Sequence, residues 1–171
     1  MGDTEDPELR VREDIARHGF HVALVPPEAG TPGWALSIGL FERHAHPELL
    51  VFGPDLGVIG PLLHHLARRV DGGDRLEPDT DRSDLLEGQP LAFRTVVPKW
   101  YGPFLGNAAW HYRSEDFPAL QVFWPDPGGR YPWDPAGDAG WRDDQPLLYL
   151  PETHRALSER LVEVLRHEGA L

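Results

Sequence analysis

A chain of 171 residues, 40% hydrophobic and 10% aromatic, is long enough to bury the core of one domain over residues 1–171 without covalent staples. The net charge of −12 argues against a nucleic-acid partner, which needs clustered lysine and arginine, and zero cysteines exclude disulfides, thiolate metal sites and a cysteine nucleophile. No apolar run approaches the roughly 20 residues of a membrane helix, and the acidic opening MGDTEDPELR is unlike a secretory leader, so no membrane partner and a cytoplasmic location are expected.

The first predicted element is a helix. Asp6 serves as its cap, Pro7 suits the first turn, Val11 and Ile15 share a face, and Gly19 stops it. A strand follows over residues 20–25, where Phe20, Val22 and Leu24 alternate with His21 and Ala23. WALSIGL at 34–40 and ELLVFG at 48–53 read as two more strands, mostly buried. Leu56, Ile59, Leu63, Leu66 and Val70 then fall at helical spacing. Pro61 either belongs to the first turn of that helix or kinks a longer one. Residues 71–89 read as an exposed acidic excursion anchored by Leu85 and Leu86.

PLAFRTVV at 90–97 and ALQVFW at 119–124 are the last predicted strands, with a helical stretch around 107–113 between them. A C-terminal helix is expected over 151–169, with Leu157, Leu161, Val164 and Leu165 as its stripe. Short strand-to-strand connections among these elements predict an α+β fold. Its sheet is expected to be curved and mainly antiparallel, with a barrel as the extreme form, flanked by N-terminal, central and C-terminal helices.

The chemistry-bearing residues form no strong signature. His44 and His46 in RHAHPEL would share a face if extended, and Glu48 would continue it, which makes the three a weak metal candidate interrupted by Pro47. His64 and His65 point about 100° apart on a helix and cannot chelate together. Ser37 lacks the glycine-rich elbow of a hydrolase nucleophile. Asp126 and Asp134 flank the Gly128–Gly129 turn, either as a facing acid pair or, more commonly for such residues, as caps of their own turns.

Aromatic residues are the denser signal. In QVFWPDPGGRYPWDP, Trp124 shares a strand face with Val122 while Phe123 takes the other. Pro125 ends the strand, and Tyr131, Pro132 and Trp133 return toward the sheet. This return is either the lid of a pocket or a plug completing the core. Trp100, Tyr101 and Trp110 from KWYGPFLGNAAWHY supply further rings, with His111 beside them.

The motifs HGFHV, WALSIGL, HPELLVFG, EGQPLAF and LQVFWPDPGGRYPWD together resemble a bacterial family called domain of unknown function 4262, over roughly residues 12–135. Its members usually end the last motif in Pro-Trp-Glu, and Asp134 stands at that position here. The resemblance carries no activity and no catalytic residues. It implies that Trp34–Gly53 and Leu120–Asp134 belong to one common design. The order of the SIGL strand, the loop, the HPELLVFG strand and the next helix is also similar to flavin-binding split barrels. That likeness implies FMN as a cofactor, its phosphate bordered by Ser37–Leu40 and the loop at 43–46, with Arg43 as charge partner.

The favoured function is recognition of a small molecule or peptide segment in an aromatic pocket. Its walls are Trp100, Tyr101, Trp110, Trp124 and Trp133, and its polar groups are His111, Asp126 and Asp134. One alternative is an enzyme, with His111 or His46 as base beside Asp126 or with a bound flavin. Another is an acidic, inhibitor-like protein that covers a basic partner. A homodimer stays open.

Overall fold

The computed structural model describes residues 6–171; residues 1–5, the first part of the acidic opening stretch, lie outside it. Helix α1 (Pro7–His18) starts where Asp6 accepts the Glu8 N–H and ends at Gly19 in the left-handed region. Strands β1 (His21–Val25) and β2 (Gly33–Ile38) form a hairpin, and the one-turn-plus helix α2 (Leu40–His44) leads into β3 (Glu48–Gly53). The long helix α3 (Leu56–Asp71) follows, capped by Asp55, and keeps Pro61 inside a single continuous element. Then come β4 (Thr80–Arg82), β5 (Leu91–Thr95), a 3₁₀ turn at Pro98–Trp100, α4 (Tyr101–Phe104), α5 (Gly106–Tyr112) and β6 (Ala119–Phe123). Helices α6 (Ala139–Asp144), α7 (Thr153–Ala156) and α8 (Glu159–His167) complete the chain.

Among the described residues six strands form one sheet in the order β1-β2-β3-β6-β5-β4. It consists of two antiparallel meanders, β1-β2-β3 and β4-β5-β6, joined where β3 and β6 run parallel. The α+β class and the mainly antiparallel sheet hold, with one parallel pairing making the sheet mixed, and it is open rather than barrel-like. Short connections join β1 to β2 and β4 to β5, while β2 reaches β3 through α2 and β5 reaches β6 through α4 and α5. No hairpin links β3 to β6; α3 and then the antiparallel β5, whose last residue Thr95 faces Leu120, carry the chain back to the end where β3 began.

Helices cover both faces. Leu36, Ile38, Leu50 and Phe52 pack with α1, α4, α5 and α8, while Ala35, Leu49, Val51, Phe93, Leu120 and Val122 pack against α3. That two-sided burial explains why every residue of β3 and of β6 is buried and why both read as nearly unbroken apolar runs.

The region 71–89 is folded onto the sheet edge: β4 pairs with β5, and Leu76 and Leu85 are buried under α3. Arg82 ties Asp74 to Asp84 across it. The helix expected over 151–169 is two helices. Leu157 is extended and Ser158 caps a new start by accepting the Leu161 N–H. Strand β6 stops at Phe123, yet its hydrogen bonding continues through side chains. The Gln145 amide both accepts from Trp124 N and donates to Trp124 O, and the Gln121 amide does the same for Leu148 N and Pro146 O.

Two buried glutamines thus stand in for a further strand and hold residues 145–148 against the sheet. Replacing Gln145 with Ala leaves both Trp124 backbone groups without their partners. The expected loss is about 2 kcal/mol, read as a lower denaturation midpoint with an unchanged slope in urea unfolding.

Candidate functional site

Glu48, at the start of β3, is a fully buried acid of the sheet, 0% exposed. Its Oε2 accepts from Ser37 Oγ at 2.6 Å, and Oε1 accepts from Gly39 N at 2.8 Å, Phe41 N at 3.1 Å and the Tyr112 hydroxyl at 2.6 Å. Ser37 Oγ in turn accepts the Leu49 N–H. Gly39 sits at φ 113°, and a Cβ there would lie 2.8 Å from Ile15, so only glycine delivers this N–H to the carboxylate. Burial pushes the Glu48 carboxyl above its usual range despite the four donors, and burial beside Glu48 pushes the Tyr112 phenol up as well. None of five grooves among the described residues is lined by Glu48, Ser37 or Tyr112. The cluster fastens α2 and α5 to the sheet.

The remaining members of the predicted metal candidate point elsewhere. His46 is fully buried as a neutral ring: Nδ1 donates to Pro47 O at 2.8 Å, Nε2 accepts from Leu76 N at 3.0 Å, and burial holds its pKa down. Both nitrogens are therefore occupied. His44 turns to Asp71 at 3.0 Å. Among the described residues no three His, Asp or Glu side chains converge as metal ligands. Ser37 and Gly39, expected at the border of a flavin phosphate, face inward to Glu48.

The predicted aromatic walls are also dispersed. Trp100 is fully buried with its Nε1 donating to Leu150 O, and the buried Tyr101 donates to Phe117 O. Trp110 stands half-exposed on α5, next to His111, which pairs with Glu42 at 2.8 Å. Trp133 stacks on Tyr131 at 4.8 Å and meets Phe123 and Tyr149 edge-on, with the Arg94 guanidinium 4.6 Å above it. Because Phe123 and Trp124 point to opposite faces of β6, Trp133 closes one side of the sheet while Trp124 joins the α3 side. Asp126 accepts the backbone N–H groups of Arg130 and Asp138, and the first of these bonds holds its carboxyl below the usual range. Asp134 accepts from Ala136 N. Each acid caps its own loop, and neither His46 nor His111 is bonded to Asp126.

A different arrangement surrounds Trp124. Its Nε1 donates to Phe52 O at 2.8 Å, and its ring meets Trp141 of α6 edge-to-face at 5.1 Å. These two indoles wall one side of a groove of about 510 Å³; Val58, Ile59, Leu62 and Leu86 supply the other. Trp141 Nε1 is the buried side-chain polar atom left without a hydrogen-bond partner among the described residues. A larger hollow of about 680 Å³ beside α7 and α8 mixes Arg142 and Arg160 with Asp143, Asp144 and Glu159, so its charges oppose one another locally. Sequence reasoning missed Trp141. Its signal was a single indole in the polar stretch GDAGWRDDQ, just after Asp138, which caps α6.

The chain belongs to the family described as Domain of unknown function (DUF4262), whose model matches residues 14–138. No curated protein and no solved structure matches it. The matched span contains the whole Glu48 cluster and the Trp124 wall; Trp141 lies three residues past its end.

The Glu48 cluster makes a pH-dependent contribution whose sign follows from its raised pKa. As pH climbs from the ordinary carboxylate range through the raised value, the unfolded chain ionises first and the folded state loses stability relative to it. Glu48→Gln removes that slope, so equilibrium unfolding across acidic to neutral pH is expected to show wild type weakening relative to the variant over this window and running parallel to it above. Glu48→Ala orphans the donors and costs about 3 kcal/mol below that window, with the loss shrinking as pH rises through it.

Proposed function

We propose that the protein is a small-molecule-binding domain whose site is the groove between the first half of α3 and the Trp124–Trp141 pair. The supporting observation is the pairing of two features in one place, an apolar concavity and an indole N–H with no partner. A volume of about 510 Å³ suits a compact organic ligand, since such sites commonly span roughly 300–1,000 Å³. Val58, Ile59, Leu62 and Leu86 offer contact area, the two indoles offer flat faces, and Trp141 offers one donor. Asp55, His65 and Gln89 also line the groove, so the inventory matches a mostly apolar aromatic or aliphatic molecule that brings a hydrogen-bond acceptor, such as a ketone or amide, for the unpartnered indole N–H. We set the domain in the bacterial cytoplasm as part of the same proposal; a chain with no cysteine needs no oxidising compartment.

We keep the recognition reading and move its site. Of the residues first expected to form its walls, Trp124 alone lines this groove. Catalysis gains no support from Glu48, Ser37 or Tyr112, because their hydrogen bonds are made to one another and to backbone away from the grooves.

The test is a fragment screen of aromatic ketones and amides, followed by tryptophan fluorescence and ligand-observed NMR. Binders are expected to quench Trp124 or Trp141 emission saturably. Trp141→Phe keeps an aromatic ring, removes the donor and should weaken acceptor-bearing binders about fivefold. Val58→Arg, at a position 62% exposed, fills the groove mouth without disturbing the core and should abolish binding. Binding that ignores Val58→Arg would place the ligand elsewhere and end this reading.

A further inference from the structure

Strand β1 lies at one edge of the sheet, with β2 on its inner side. Its outward-facing backbone groups make no hydrogen bond to any described residue, so a row of donors and acceptors stands open. Helices flank the strand without covering that edge, and each leaves a groove along it. One groove, about 530 Å³, runs between Val22, Leu24 and α3; the other, about 380 Å³, runs between Ala23, α1 and Trp110 of α5. Leu24 is 50% exposed and Trp110 52% exposed, so both grooves present a large apolar side chain to whatever lies alongside.

The charge of these grooves runs against that of the molecule. The chain carries −12 overall, yet no aspartate or glutamate lines either groove. Their ionisable side chains are His64, His65 and Arg68 on the α3 side and Arg10 and His21 on the α1 side, with His21 also held by Asp14. Neither Arg10 nor Arg68 forms an ion pair among the described residues. From these features we infer that β1 is a docking edge for an extended segment of another protein, added as a further strand. Its apolar residues lie over Leu24 and Trp110, and its acidic residues meet Arg10 and Arg68.

Main-chain bonding supplies the affinity in strand addition, and the side chains on alternate faces supply the selection. A second copy of this chain suits the edge less well. Two β1 strands paired about a two-fold axis would set the cationic rim of one copy against the same rim of the other.

The experiment uses the full chain, labelled with ¹⁵N, and a short peptide repeating Val-Val-Glu-Glu, which as a strand sets valine and glutamate in turn along each face. Expected are saturable shifts at His21–Val25 and at His64 and Arg68, with the thermal unfolding midpoint rising as peptide is added. A lysine–valine peptide, and the acidic peptide with alternate backbone amides methylated, should each bind at least about tenfold more weakly. Leu24→Glu should weaken the acidic peptide by a similar factor, and Arg68→Glu gives a second surface variant should the first disturb the strand. Equal binding of the methylated peptide, indifference to both variants, or shifts confined to other surfaces would overturn the inference. So would a dimer by sedimentation that Leu24→Glu dissolves, because the edge would then belong to a second copy.

Discussion

The parallel pairing of β3 with β6 is the constraint on which the rest of the molecule depends. Each three-stranded meander pairs strands that follow one another in the chain. Joining them edge to edge along Leu49–Val51 and Leu120–Val122 is what creates a continuous sheet with two coverable faces. Neither half could bury its apolar residues alone, since an isolated three-stranded sheet leaves a face and both edges in water. Long-range closure also carries the largest loop entropy, with the start of β3 and the start of β6 separated by the whole central part of the chain. The polar group at the mouth of that seam is Glu48, opposite Ala119 in the register. Its carboxylate gathers Ser37 from β2, the α2 turn and Tyr112 from α5, so the elements around the seam are fixed by hydrogen bonds as well as by packing.

Two-sided burial of the sheet determines what its polar residues can do. A charged or amide side chain on a central strand must find partners inside the fold, because an unpaired buried polar group is costly. Glu48, His46, Gln121 and Gln145 all obey this, with each hydrogen-bonding atom directed at backbone or at another buried group. Residues that look chemically promising in the linear sequence are thereby consumed in holding loops to the sheet. Open concave surface is left at the rims, where a helix meets the end of a strand or leaves its edge open. The Trp124–Trp141 groove and the β1 edge are two such places.

Elements with one dominant physical signal were legible from the residues alone. The residue range of β3 and most of β6 followed from apolar runs, and α1 and α3 followed from caps and helical spacing. The parallel seam was not legible, because strand direction is set by where the chain has travelled and not by anything within ELLVFG or ALQVF. Strand β4 has three polar residues, Thr80–Arg82, and owes its conformation to pairing with β5 and to the Arg82 ion pairs. The break between α7 and α8 was hidden for a different reason. Leu157 continues the apolar stripe of Leu161 and Leu165 even though its backbone is extended, so side-chain periodicity passes through a gap that only the Ser158 cap reveals.

The candidate site illustrates the same limit in a form specific to strands. Trp124 and Trp133 lie in one aromatic-rich segment, and their proximity in sequence suggested a shared pocket. Alternation along β6 sends Phe123 to one face and Trp124 to the other. The returning loop follows Phe123, so Trp133, Tyr131 and Arg94 build a stacked cover there while Trp124 is left to find another partner. It finds Trp141, beyond the span matched by the family. The core plug and the groove wall are therefore both real, but they are made by different tryptophans on opposite sides of the same strand. One consequence separates their roles: removing the ring at Trp133 takes packing from Phe123, Tyr131 and Tyr149 together, whereas removing it at Trp141 opens a groove that already faces solvent.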